Sequence, residues 1–95
     1  MQEKTIENYL VRQVLAKGGW AIKLASPNAA GLPDRLILLP GGAVIFAELK
    51  RPGGKVRPLQ KSAHRRLREL GFVVYTIDSK DGVDDVLASF RSGGR

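Results

Sequence analysis

Ile6, Leu10 and Val14 recur every fourth position through an otherwise polar stretch that Gly18-Gly19 closes, a period that predicts an amphipathic helix over about 3–17. The next segment changes period. WAIKLA alternates, with Trp20, Ile22 and Leu24 on one side and Ala21, Lys23 and Ala25 on the other, as a half-buried strand does. The three large apolar residues are expected in the core, and SPNAAGLP is expected to be a loop.

Two short apolar runs follow, RLILL over 35–39 and AVIFAE over 43–48, separated by Pro40-Gly41-Gly42. That punctuation predicts an antiparallel hairpin. If Gly41-Gly42 form the turn centre, residues pair when their numbers sum to about 83, so Asp34 would lie opposite Leu49. RPGGKVR reads as a loop. Pro58 suits a first helical position, and Leu59, Ala63, Leu67 and Leu70 predict the inward stripe of a second helix that Gly71 ends. FVVYTI, residues 72–77, reads as a buried strand. Asp78 or Ser79 can cap a last helix with Val83, Val86, Leu87 and Phe90 inward, and residues 91–95 read as a frayed tail. The expected order is helix, three strands, helix, strand, helix. The strand-helix-strand unit over 43–77 predicts a right-handed crossover in a mixed sheet, an α/β architecture.

Ninety-five residues suit one domain spanning 1–95, whose active site would sit on an edge or be completed by a partner. With no cysteine and a single histidine, disulfide frameworks, thiolate chemistry and multi-histidine zinc sites are excluded. No apolar stretch approaches the roughly 20 residues that span a bilayer, and MQEKTIENYL is too polar for a signal peptide. A cytoplasmic protein without membrane partners is the expectation. The formal charge is +7, and its distribution is uneven. Lys50, Arg51, Lys55, Arg57, Lys61, Arg65, Arg66 and Arg68 form a run with no carboxylate among them. Such an acid-free run predicts a polyanion-binding surface, nucleic acid first.

The chemistry gathers beside that run. Glu48 and Lys50 stand two apart on a strand, so they project from one face about 7 Å apart along the chain, while Leu49 points to the core. Taken alone, the pair reads as a surface ion pair, and Asp34 alone as a loop residue. The hairpin brings all three to one strand end. Two carboxylates and a peptide carbonyl can hold a hard divalent cation such as Mg²⁺, which prefers oxygen ligands and retains waters. Phosphodiester hydrolysis fits these parts, with Lys50 either orienting the water or stabilising the developing charge.

Pro33-Asp34 followed by Glu48-Leu49-Lys50 resembles the PD-(D/E)xK nuclease signature. The longer stretch SPNAAGLPDRLILLPGGAVIFAELKRPGGKVRPLQ is similar to the VRR-NUC domain, with its GxPDR, ELK and RPLQ segments in order. The resemblance implies an αβββαβ restriction-endonuclease-like core followed by a C-terminal helix. It implies Asp34, Glu48 and the Leu49 carbonyl as Mg²⁺ or Mn²⁺ ligands, and Lys50 as the catalytic lysine. Gln60 matches the family's glutamine near the metal, and Glu7 the acidic residue of the first helix that can join the site, with Glu3 one turn away as its substitute. Stand-alone, virus-type members resemble Holliday-junction resolvases, so the resemblance implies a homodimeric endonuclease acting on branched DNA in recombination or repair, in the host cytoplasm if viral.

Arg51, Lys55, Arg57, Lys61 and Arg65 are the expected DNA contacts, with Lys23 and Ser26 as further candidates. Gly53-Gly54-Lys55 is not a nucleotide-binding loop, because Leu49 and Val56 stand where that motif needs glycine and a hydroxyl residue. No nucleotide cofactor is expected. His64, one turn after Gln60, is expected to be a partly exposed helix residue without a catalytic role. Two other readings remain, a non-catalytic nucleic-acid-binding module and a metal nuclease for linear duplex, flap or RNA substrates.

Overall fold

The computed structural model describes residues 2–25 and 30–90. It contains α1 (Glu3–Ala16), β1 (Trp20–Lys23), β2 (Arg35–Leu39), β3 (Ala43–Leu49), α2 (Pro58–Glu69), β4 (Val73–Ile77) and α3 (Lys80–Ala88). This is the expected order. The strands form one sheet in the order β1-β2-β3-β4, antiparallel across the first two pairs and parallel between β3 and β4. A parallel neighbour needs a crossover, and α2 provides it. Ser79 caps α3, its Oγ accepting the Gly82 amide at 2.9 Å. The tail at 91–95 lies outside the described residues.

One face of the sheet carries the core. Ile37, Leu39, Ile45, Ala47, Leu49 and Ile77 pack against Ile6, Leu10 and Val14 of α1 and Val83, Val86 and Leu87 of α3 in one buried cluster. Each fully buried Ile or Leu contributes about 1.5–3 kcal/mol, so this layer supplies most of the fold's stability. Both outer helices thus keep the faces their periods predicted.

The opposite face is only half covered, and three expectations change there. Trp20 is 67% exposed rather than core, because the buried side of β1 is the one carrying Ala21, which packs against the α1 layer. In α2, Leu59 and Leu70 are exposed, and the fully buried position is His64. The helix packs mainly on β4 at the sheet margin and reaches β3 through Gln60 and His64, which meet Glu48, so its contact stripe is narrow. β4 is an edge strand whose Val74 and Ile77 are buried while Val73 is partly open. Phe72, just before it, meets Phe46 edge to face at 5.6 Å.

The β2–β3 hairpin closes on the pair Leu39↔Ala43 through the three residues Pro40, Gly41 and Gly42. Gly41 and Gly42 have φ of 92° and 89°, the left-handed region that glycine enters without a Cβ penalty. The turn centre is therefore Gly41, and positions pair when their numbers sum to 82. Extended by one residue, this register sets Asp34 opposite Glu48 rather than Leu49. Opposed residues share a sheet face, so the shift brings the two carboxylates closer in register than expected.

Candidate active site

Glu48 occupies the C-terminal end of β3 on the α2 side of the sheet and is 1% exposed. Asp34 is held from two directions. Its carbonyl accepts the Leu24 amide and its Oδ2 accepts the Leu49 amide, both at 2.8 Å. The loop before it rests on the start of α2. Gly31 has φ of +86°, and a Cβ there would stand 2.6 Å from the Leu59 carbonyl oxygen. The GLPD segment and the RPLQ helix start are thereby fitted against each other through a position where a side chain has no room.

Gln60 joins the pieces. Its Oε1 accepts from the Arg57 amide at 2.9 Å, satisfying a free donor at the N-terminus of α2, and from Lys50 Nζ at 3.0 Å. Its Nε2 donates to Glu48 Oε2 at 3.0 Å, and Lys50 Nζ stands 3.5 Å from the same oxygen. One amide thus caps a helix and fixes both charged residues of the ELK segment. Lys50, with its side chain 12% exposed, is a positioned cation rather than a mobile surface one.

Burial pushes the Glu48 carboxyl up to about 7, the neighbouring Asp34 charge adds to the rise, and Lys50 opposes it. A half-buried and a buried carboxylate in adjacent register, with the Lys50 ammonium beside Glu48, set oxygen donors of the kind a divalent cation takes at one strand end. Among the described residues no cluster of three or more His, Cys, Asp or Glu side chains could hold a metal ion. Asp34 and Glu48 offer two carboxylates, few enough that an ion such as Mg²⁺ would keep several of its waters there. Leu49 takes part through its amide on Asp34.

Glu7 is placed differently. Its Oε2 accepts two bonds from Arg35, from Nε at 3.2 Å and from the terminal nitrogen at 2.9 Å, and Lys4 lies 3.5 Å from the other oxygen. Burial raises its carboxyl, but the Arg35 bonds and charge outweigh this and hold it below the usual range. Arg35 also donates to the Ala21 carbonyl at 3.0 Å. Glu7 thus braces the residue next to Asp34, and no described ion pair or hydrogen bond links it to Asp34, Glu48 or Lys50. Glu3 is exposed. Arg35 carried no expected role, although its position in PDR and its alternation away from Asp34 mark it in the sequence. Lys23 lies exposed on the Ala21 side of β1, where its charge acts on Glu7 rather than on Glu48.

His64 corrects the expectation of partial exposure. It is 3% exposed, with Nε2 3.5 Å from Glu48 Oε1. Burial lowers its pKa, and the Arg68 and Lys50 charges act in the same direction, so the imidazole is neutral at neutral pH. The signal was present as the four-residue spacing from Gln60. Outside it runs a groove of about 750 Å³ between α2 and β4, lined by Val56, Lys61, His64, Arg65, Arg68, Glu69 and Thr76. Lys61 and Arg65 are exposed on its wall, and Arg51, Lys55 and Arg57 are exposed on the adjoining loop and helix start. Ser26 lies outside the described residues.

No protein-family model matches the chain. A curated protein of Acyrthosiphon pisum secondary endosymbiont phage 1, named "Putative nuclease p44", is 47% identical over 81 residues, covering 85% of this chain and 87% of the phage protein. A solved structure described as "VRR_NUC domain" superposes with a TM-score of 0.86 at 31% identity, over 94% of this chain and 97% of the other. A second, "VRR_NUC domain protein", reaches 0.72 at 16% identity over 93% and 86%, and agrees in fold. The same GLPDR, ELK and RPLQ segments that the fold gathers at one end of β3 are those that resemble the family in sequence. The chain belongs to the VRR-NUC domain family.

Proposed function

We propose that this VRR-NUC nuclease is a divalent-metal-dependent endodeoxyribonuclease that hydrolyses phosphodiester bonds in branched DNA, four-way junctions above all, and that it works as a homodimer. The observation that carries the reading is the bonded set Asp34, Glu48, Lys50 and Gln60 at the end of β3, opening beside a cationic groove. Asp34 and Glu48, with the Leu49 carbonyl, would hold Mg²⁺ or Mn²⁺. When bound, the ion supplies Lewis-acid polarisation of the phosphate and a water of lowered pKa. Lys50 keeps a fixed positive charge beside the reacting phosphate, where charge grows in the transition state. Gln60 holds Lys50 and Glu48 in register, and the groove cations, Lys61 and Arg65 among them, draw in the phosphate backbone.

Support for the dimer is geometric and modest in size. A C₂ pair presents two equal sites to two symmetry-related strands of a junction, and Trp20, Leu59, Leu70 and Phe72 leave apolar area open that a second copy would cover.

The test is a labelled four-way junction incubated with the protein and Mg²⁺, with and without chelator, against duplex, flap and RNA competitors. Paired, metal-dependent nicks in the junction are expected. Cleavage without preference among these substrates would remove the junction reading, and intact DNA at saturating protein would remove the enzyme. Sedimentation velocity measures the assembly directly, with a mass of two chains expected.

A further inference from the structure

α2 presents mostly polar or open positions and buries one residue completely, the imidazole of His64. Packing alone would place a leucine there. His64 follows Gln60 by four residues, so both side chains descend from one flank of the helix onto the same carboxylate. They meet its two different oxygens. Gln60 donates to Glu48 Oε2 at 3.0 Å, whereas Oε1 has no partner, and the nearest donor-capable atom facing it is His64 Nε2 at 3.5 Å. Those two atoms are the buried side-chain nitrogen and oxygen left without a hydrogen bond among the described residues. Two orphans facing each other, each sealed from water, require one another as partners.

When Glu48 is ionised, as a carboxylate that holds a cation is, it only accepts, so the hydrogen between them then belongs to the imidazole and is carried on Nε2. We propose that His64 is a positioning residue that donates Nε2–H to Glu48 Oε1 and so fixes the carboxylate plane, leaving Oε2 directed at Gln60 and Lys50. His64 touches neither substrate nor ion in this arrangement. It acts through Glu48, and its value to the reaction rests on the reading of Glu48 as an ion ligand. Ligating carboxylates are oriented by outer hydrogen bonds, whose loss commonly weakens metal binding about 10–100-fold.

The first measurement needs neither metal nor DNA. In the whole protein at pH 8.5, where the Glu48 carboxyl is ionised, ¹⁵N NMR of the single imidazole is expected to show the neutral Nε2–H tautomer, and a bare Nε2 sinks the proposal. The second compares His64→Leu with His64→Gln, whose amide can offer an N–H at similar reach. By calorimetry with Mn²⁺ alone, His64→Leu should lose about 10–100-fold in affinity with an unchanged or higher urea midpoint. It should also lower kcat on junction DNA with KM unchanged, and His64→Gln should recover most of both. Wild-type Mn²⁺ affinity in a folded His64→Leu protein overturns the role. If His64→Leu does not fold, the tautomer decides. If the wild type binds no Mn²⁺ and cuts no DNA, it is the nuclease mechanism that has failed, and the positioning role for metal falls with it, whereas an Nε2–H tautomer would still uphold the His64–Glu48 bond.

Discussion

On the α1–α3 side of the sheet, the side chains of Ile37, Ile45, Ala47 and Leu49 are 0 or 1% exposed and belong to one apolar cluster. On the α2 side, the same strands leave Trp20 largely open at one margin and at the other bury Glu48 to 1% beside Lys50 and His64. The first face lowers the free energy of the fold with every side chain. The second buries an imidazole and a carboxyl pushed up to about 7, an arrangement that costs stability. The comparison teaches that the molecule keeps its apolar packing and its buried polar groups on opposite sides of one sheet, so that the cost of one is carried by the other.

The sharpest way to break this contrast is at Glu48. Glu48→Gln should lower cleavage by several kcal/mol of transition-state stabilisation, about 10³-fold or more, measured as single-turnover rates. The same change should leave the metal-free protein as stable as wild type or more so at pH 8. On the other face, Ile45→Ala should cost about 2–5 kcal/mol in urea unfolding, and any residual activity should follow the folded fraction.

A pH titration of stability sharpens the comparison further. Because the native Glu48 carboxyl lies near 7, above its ordinary 4.5, the folded state binds more protons than the unfolded chain between those values. Glu48's share of metal-free stability should therefore fall as pH rises from about 4.5 to 7, by about 3 kcal/mol, read as the difference between wild type and Glu48→Gln. The lowered His64 imidazole works in the opposite sense and loses stability as pH falls below about 6.5. Glu7, like His64, opposes Glu48. Its lowered carboxyl contributes stability that is present above about 4.5 and lost as pH falls below it. A flat profile from pH 5 to 8 in the wild type, the same as in Glu48→Gln, would contradict the buried charge.

Gly31→Ala sets a Cβ against the Leu59 carbonyl in left-handed backbone, and should destabilise by about 1–3 kcal/mol while lowering kcat, since Asp34 shifts with its loop. The smallest effect is expected at the groove wall. Lys61→Ala and Arg65→Ala should each weaken DNA binding evenly across sequences and flatten the salt slope by about 1, with cleavage at saturating DNA little changed.

Much of this was legible in the chain. The periods of Ile6, Leu10, Val14 and of Val83, Val86, Leu87 give two helices their buried faces, because an outer helix on a full sheet meets a broad apolar surface and its stripe decides the contact. α2 was misread at Leu59 and Leu70 for the converse reason. Its buried contacts fall on β4 and on the flank of Gln60 and His64 that meets Glu48, so Leu59 and Leu70 stay largely exposed. Trp20 was assigned to the wrong side of β1 because alternation reveals two faces without saying which one the helices will cover. Within the candidate site, Asp34, Glu48, Lys50 and Gln60 stand together as motif and spacing suggest. Arg35 and His64 were not found that way, since each acts through a neighbour that only the fold supplies.

The amino-acid sequence by itself determined the element order, the hairpin, the acid-free cationic run and the residue types of the site, because these depend on local period, turn chemistry and spacing along the chain. Tertiary structure alone decided that Glu7 pairs with Arg35, that the hairpin turns about Gly41, and that an imidazole lies buried against Glu48. Those outcomes depend on which faces are covered and on distances between residues far apart in the chain, and no local pattern encodes either.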